Sequence, residues 1–503
     1  MADSTTPLLS QSKKNSDSPS LDETIEHYLS DFNLTQLSIA IFVSISWFFD
    51  AQQTFISVFS EAEPKWHYKK TSPFSATIAD LCKLPADSWE WDKPNYTSVI
   101  SEFQLQCSNS LLRSLPASSF FFGCLAGGFL LATLADSCFG RKNMLFLSCL
   151  MMGVSSLLTV FSPDIWVYSG LKFVNGFGRA TIGGCALVLA TEIVGKKWRG
   201  QVGVLGFVCF TLGFLSLPLI AYMNRDSSWR VLYLWTSVPT ILYSILVRFF
   251  VVESPRWLFC RGRREEALAV LRSISSVKSD DFEFDQQLQY NNNHDMFSSI
   301  KILLEKNWVF RRLSAVMVIG FGTGVVYYGM PLGLGNSSFN LYLSTTFNAL
   351  SKLPASLVTF VLISKLNRKT SLLIFSTVSG ICSVMVAVLG NLSANLEIGL
   401  EMVSFFCACS LFDILLIFTT ELFPTSVRNS AMSMVRQAVV LGGVFGPMLV
   451  DAGRKNRFFS YGIFGLMIGI CGMFVICVKE TKGETICDTI EEEECKQAKM
   501  LCC

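Results

Sequence analysis

Histidine is nearly absent: three residues in 503, widely separated, cannot assemble a metal site, and no metal or cofactor is expected. Charge is scarce as well, at 16% of residues. Its 41 basic and 39 acidic side chains leave a net +2 and are scattered through loops, which excludes a nucleic-acid partner. No Gly-x4-Gly-Lys-Ser/Thr stretch occurs, so nothing points to ATP. No Cys/His, Ser/His/Asp or His-cluster arrangement stands at a common depth, which argues against an enzyme, and no filter-like loop argues for a channel. The opening stretch is polar and Ser-rich without an apolar core behind positive charge, so a cleaved leader is not expected.

What the chain does have is apolar length. Its mean hydropathy is +0.44 with 51% hydrophobic residues, too apolar for one soluble core of this size. Stretches such as 116–135 and 458–478 carry no acidic group. Each is long enough to cross a hydrocarbon layer about 30 Å thick. Hydropathy gives spans near 36–59, 116–135, 144–161, 165–190, 201–222, 231–251, 313–332, 343–364, 371–390, 398–420, 430–450 and 458–478. The expected fold is therefore an all-α polytopic membrane protein, with twelve transmembrane helices in two six-helix halves and both termini cytosolic. Seventeen Cys lie mostly inside these spans (Cys124, Cys149, Cys185, Cys209, Cys407, Cys409), where they read as small buried hydrophobes.

Basic residues cluster on alternate loops, as cytosolic loops require. Arg141/Lys142, Lys196/Lys197/Arg199, the run Arg256 to Arg264, Lys365/Arg368/Lys369 and Arg428 share one side. Arg454, Lys455 and Arg457 break the rule on the far side. The far-side loop 60–115 carries the sequon Asn95-Tyr96-Thr97 and the pair Cys82 and Cys107, which suits a lumenal or extracellular disulfide. Asn336-Ser337-Ser338 and Asn391-Leu392-Ser393 are far-side sequons close to the membrane, whereas Asn33-Leu34-Thr35 is cytosolic and should be silent. The organisation expected is a tail 1–35, a first half 36–252, a charged cytosolic linker 253–309, a second half 310–480 and a tail 481–503.

The halves echo each other. Asp136 to Lys142 follows span two, and Ser364 to Thr370 follows span eight; Glu192 lies seven residues before Arg199, and Glu421 seven before Arg428. Recurrence at matching places marks a duplicated carrier. Asp136, Arg141, Glu192, Arg199, Glu421 and Arg428 are thus candidates for a cytosolic ion-pair gate between two states. Plain topogenic Lys and Arg would explain part of the pattern but not the acids.

With Glu253-Ser254-Pro255-Arg256-Trp257-Leu258, Glu421-Leu422-Phe423-Pro424-Thr425 and Glu480-Thr481-Lys482-Gly483, these motifs resemble the major facilitator superfamily. Trp89-Glu90-Trp91-Asp92 and Ser98 to Phe103 are similar to its organic cation and organic anion branch; Asp50-Ala51-Gln52-Gln53 and Tyr327-Tyr328-Gly329 look most like the plant organic cation/carnitine transporters. The resemblance implies alternating access in a twelve-helix carrier with a central site. The expected cargo is a small organic cation or zwitterion, carnitine and related quaternary amines foremost, moved with protons. Organic anions are the alternative.

An ionisable group inside a bilayer costs roughly 2.5–3.5 kcal/mol on insertion scales, so each is a functional candidate. Asp50, beside Trp47, suits a quaternary ammonium or a coupling proton, and Tyr327 and Tyr328 complete an aromatic cage. Lys172 and Arg179, seven apart in span four, place at least one cation toward the cavity. Asp413 and Arg436 are the other mid-span charges, with mutual pairing as the alternative. Two positions depart from the branch: Lys352 stands where animal cation carriers have an acid before Pro354-Ala355, and Val440 stands where they have Asp and anion carriers have Arg. A zwitterion answered by Asp50 and by Lys352 or Arg436 fits these departures. The motif around Leu8-Leu9 resembles a dileucine sorting signal, which implies the vacuolar membrane, with the plasma membrane as the alternative.

Overall fold

The computed structural model describes residues 21–29, 31–69, 81–85, 88–134, 139–275, 303–336, 340–389, 393–454, 457–482 and 492–494. Ten of its helices are long and apolar enough to cross a membrane. Spans 1 to 6 are Leu34–Ser60, Ser110–Leu134, Arg141–Thr159, Ile165–Glu192, Arg199–Met223 and Trp229–Phe250. Spans 7 and 9 to 11 are Asn307–Gly333, Arg368–Leu389, Ala394–Leu422 and Thr425–Ala452. Two further helices complete twelve. Span 8, Leu341–Lys365, is 25 residues long but carries Asn348, Ser351 and Lys352, and span 12, Tyr461–Cys477, is short. Large apolar side chains such as Phe122, Phe129, Trp166, Leu219, Phe249, Leu357 and Ile470 stay exposed along the helices, as a lipid-facing surface requires.

Helix boundaries moved for physical reasons. Span 2 starts at Ser110 rather than near 116 because Arg113 finds acidic partners and need not leave the helix. Span 7 starts at Asn307, with Arg312 paired to Glu493 at 3.0 Å. Span 1 bends at Ile45, where the Ser44 and Ser46 hydroxyls donate back to Ala40 and Val43 carbonyls.

Hydrophobic attraction cannot bring helices together in lipid, so small residues let backbones touch instead. A Cβ on Gly213 would meet the Phe48 carbonyl oxygen of span 1 at 2.1 Å, and one on Gly324 would meet the Val439 oxygen of span 11 at 1.9 Å. The first joins spans 1 and 5, the second spans 7 and 11, so the duplicated halves repeat the same close approach. The halves meet where spans 2 and 5 pack on spans 11 and 8.

The linker region holds helices Pro255–Cys260 and Arg264–Ile274, and the N-terminal region holds a helix Leu21–Leu29 whose Ile25 and Leu29 are buried. Asn33 caps span 1: its Oδ1 accepts from Gln36 N–H, and its amide donates to the Ile274 carbonyl at 2.8 Å. In the far-side loop, strands Trp66–Tyr68 and Trp89–Trp91 pair antiparallel, and Cys82 is bonded to Cys107. Asn95 is exposed at the start of a short turn. Asn336 ends the turn Leu334–Asn336; the rest of its sequon, and Asn391, lie outside the described residues.

Candidate functional site

Spans 1 and 4 face each other through a ladder of polar side chains, one rung per helical turn. Asp50 takes both Arg179 Nε, on Oδ1, and Nη2, at 3.4 Å on Oδ2. Next, the Asn175 amide donates to Gln53 at 3.1 Å, Lys172 Nζ donates to Ser57 at 2.9 Å, and the Tyr168 hydroxyl donates to Glu61 at 3.1 Å. Burial raises the Glu61 carboxyl above its usual range, against the pull of Lys172. Asp50 is thus 3% exposed but not a bare carboxylate waiting for a cation; it has a built-in guanidinium partner. Trp47 does not cage it. That ring lies against Gly183 and Gly206 and packs on Phe207 and Phe210 of span 5 at 5.7 and 6.1 Å.

The second half builds its centre differently. Lys352 is 3% exposed, and its ammonium donates to the Tyr327 hydroxyl at 2.5 Å. It lies 4.6 Å from the Tyr327 ring centroid, 5.1 Å from Phe210 and 5.9 Å from Phe412. Tyr327 thus does not complete a cage with Asp50 and Tyr328; its ring, with Phe210 and Phe412, surrounds a cation of the chain itself. Within electrostatic reach is Asp413, whose Oδ2 accepts from Ser356 at 2.9 Å while its buried Oδ1 has no hydrogen-bond partner. Asp413 and Arg436 do not form the ion pair considered from sequence, because Asp413 turns to Ser356. The Arg436 guanidinium makes no hydrogen bond or ion pair among the described residues, and its electrostatic neighbour is Tyr328. Tyr328 also faces Arg179 and packs at a tilt against Phe121 of span 2, with ring centroids 4.7 Å apart, which bridges the halves.

At the far side four charges lock the halves. Glu63 and Arg113 from the first half meet Asp451 and Arg454 from the second. Arg113 lies 2.7 Å from Glu63 and 3.1 Å from Asp451; Arg454 pairs with Glu63 and, at 2.9 Å, with Asp451. Beneath them remains a cavity of about 60 Å³ lined by Ser57, Ala62, Ala117 and Pro447. Phe59 stacks on Tyr342 across the same divide at 5.7 Å. Arg454, which broke the loop-charge rule, is explained by this cluster. Sequence reading missed Glu63, Arg113 and Asp451, since nothing local distinguishes them from loop charges.

On the cytosolic side each half caps itself in the same way. The Glu253 carboxylate accepts the Arg141 and Lys142 N–H groups that open span 3, at 2.9 and 3.1 Å. Glu480 accepts the Arg368 and Lys369 N–H groups that open span 9, at 3.0 and 3.1 Å. The next residue's hydroxyl then reaches an acid: Ser254 donates to Glu192, and Thr481 to Glu421 at 2.6 Å. Glu421 also holds Arg368 through two bonds, at 2.9 and 3.0 Å. Arg199 pairs with Glu26 of the N-terminal helix, and Arg428 donates to the Phe423 carbonyl at 3.4 Å. The partners identified for Glu192, Arg199 and Glu421 thus lie in their own half. Asp136 lies outside the described residues.

Comparison with known proteins agrees with this architecture. A family profile described as "Sugar (and other) transporter" matches residues 43–492. Organic cation/carnitine transporter 2 of Arabidopsis thaliana is 56% identical over 99% of this chain and 98% of its own length. Solute carrier family 22 member 3 of Mus musculus is 29% identical over 84% and 76%. Among solved structures, the inward open xylose transporter XylE from E. coli superposes with a TM-score of 0.64 at 18% identity, over 90% of this chain and 98% of that one.

Proposed function

This chain belongs to the sugar (and other) transporter family of the major facilitator superfamily, in its organic cation/carnitine branch, and on that premise we propose that it carries small zwitterions or organic cations, carnitine foremost, by proton-coupled alternating access. The observation that carries the reading is the charge inventory of the centre. Among the described residues, Lys352, Arg179 and Arg436 face the carboxylates of Asp50 and Asp413 alone, which leaves one uncompensated cation. A zwitterion answers this: its carboxylate meets the unpaired Arg436, and its trimethylammonium head meets the rings of Phe210, Tyr327 and Phe412. A quaternary ammonium cannot donate hydrogen bonds and is held by π faces at roughly 2 kcal/mol or more when desolvated.

Coupling is assigned to Asp50. While ionised it holds Arg179; a proton on Asp50 removes the charge that holds the guanidinium and frees it to move. Equilibrium between two arrangements then follows proton supply, which is what a symporter needs. The excess positive charge also favours a second reading, transport of an organic anion by Arg436 and Arg179 without use of the aromatic box. The vacuolar membrane is the proposed location and Asn95 the proposed glycan site.

Uptake of labelled carnitine, choline, a polyamine and an organic anion, measured in parallel with and without an imposed pH gradient, tests the reading. Saturable, gradient-driven carnitine uptake is expected. Uptake confined to the anion would replace the first reading with the second.

A further inference from the structure

We propose that Lys352 is a tethered competitor for the aromatic box, which sets the preference between zwitterions and plain cations by withdrawing to Asp413 when substrate enters. The inference rests on the box being the ammonium subsite. An ammonium buried to 3% exposure among Phe210, Tyr327 and Phe412, with one hydroxyl as its hydrogen-bond partner, occupies the place a substrate head group would take. Two cations cannot share one desolvated box, so a substrate cation must expel it. The neighbouring carboxylate offers somewhere to go. Asp413 Oδ1 is buried without a hydrogen-bond partner, although Oδ2 is held by Ser356, so one acceptor already lies within electrostatic reach of Lys352.

The consequence is selectivity. Once Lys352 rests on Asp413 the two charges cancel, and the box offers an incoming cation only ring faces. A plain cation such as tetramethylammonium then enters with no counter-charge. A zwitterion brings its own carboxylate for Arg436 and leaves the centre no more positive than before. Lys352 is therefore a specificity-determining residue. Its removal releases Asp413 to attract plain cations directly.

Binding to the purified full-length carrier in lipid nanodiscs tests this, with tetramethylammonium and carnitine as probes. Lys352→Met and Lys352→Gln should each bind tetramethylammonium at least tenfold more tightly than wild type, with a smaller change for carnitine; two neutral replacements guard against one that does not fold. Lys352→Arg should keep the wild-type preference. Adding Asp413→Asn to Lys352→Met should abolish the gain. Unchanged or weaker tetramethylammonium binding in both neutral variants, with carnitine still bound by wild type, would overturn the inference alone. Wild-type protein that binds neither probe would remove the subsite reading and the inference with it.

Discussion

Arg113→Gln should open the far side of the carrier. Arg113 is one of two first-half residues in the four-charge cluster, and it reaches Asp451 across the divide at 3.1 Å as well as Glu63 at 2.7 Å. Exposure sets the magnitude: the side chains of Arg113 and Asp451 are 11% and 8% exposed, those of Glu63 and Arg454 29% and 21%. Breaking a fully buried pair costs about 3–5 kcal/mol, and a surface pair is worth about 0–1 kcal/mol. The cluster lies between these limits, so about 1–3 kcal/mol of the closed state's preference should be lost, a roughly 5- to 150-fold change in the closed-to-open ratio. A cysteine placed at Ala117, which is buried and lines the small cavity under the cluster, reports this directly. Its reaction with a membrane-impermeant maleimide should accelerate in Arg113→Gln and again in Asp451→Asn. Among the described residues, the cysteines outside the Cys82–Cys107 pair lie in spans or on the cytosolic side, so they add little background. Equal labelling rates in wild type and both variants would refute the view that these charges hold the halves closed.

Four further outcomes follow from the same geometry. Asp50→Asn leaves Arg179 without its carboxylate and should abolish stimulation by a pH gradient while carnitine exchange between preloaded vesicles persists; loss of both would place Asp50 outside coupling. Arg436→Ala should raise the carnitine KM at least tenfold and leave choline within about threefold, since only carnitine has a carboxylate to lose. Asn95→Gln should remove a glycan-dependent mass shift that Asn33→Gln leaves intact, because Asn95 is exposed in the far-side loop and Asn33 lies at the cytosolic start of span 1. Glu480 feels burial, which raises its pKa, but the N–H groups of Lys482, Lys369, Arg368 and Thr481 outweigh it and hold the carboxyl below the usual glutamate range. Its stabilising contribution is therefore complete above the unfolded pKa and lost only as pH falls through the lower folded value, so the thermal stability gap between wild type and Glu480→Gln should be constant at neutral pH and close on strong acidification.

Twelve crossings and their orientation were legible because lipid imposes long apolar runs and biases loop charge, both of which are local properties of the chain. Cys82–Cys107 was legible because two cysteines shared one far-side loop. The centre was only partly so. Asp50, Lys352, Asp413 and Arg436 stood out as charges in apolar surroundings, but their partners did not: Asp50 and Arg179 are 129 residues apart, and pairing at that distance is decided by helix packing. Phe210 and Phe412 were hidden for another reason. With 42 Phe in the chain, nothing local marks out the two that face the Lys352 ammonium. The Glu253 and Glu480 caps were visible as motifs, yet their role as acceptors for the first N–H groups of spans 3 and 9 required the fold.

The two halves are alike at their cytosolic ends and unlike at their centres, and that contrast bears on how coupling would work. Caps built from Glu253-Ser254 and Glu480-Thr481 share the bonds to the first two N–H groups of spans 3 and 9 and to their own following residue, as duplication leaves them when both copies do the same job. The centres have diverged into an Asp50–Arg179 pair in one half and a caged Lys352 beside Asp413 in the other. Between them stand two consecutive residues of span 7. Tyr328 faces Arg179, and Tyr327, whose ring lies 5.0 Å from it, holds Lys352. On the proposed reading, a proton on Asp50 frees Arg179, Arg179 shifts against Tyr328, and span 7 carries that shift to the ring that retains the lysine. Tyr328→Phe tests the relay: loss of gradient-driven uptake with carnitine binding intact is expected, since the ring remains and only the hydroxyl facing Arg179 is gone. Retention of full proton stimulation in Tyr328→Phe would mean that the two centres communicate by another route.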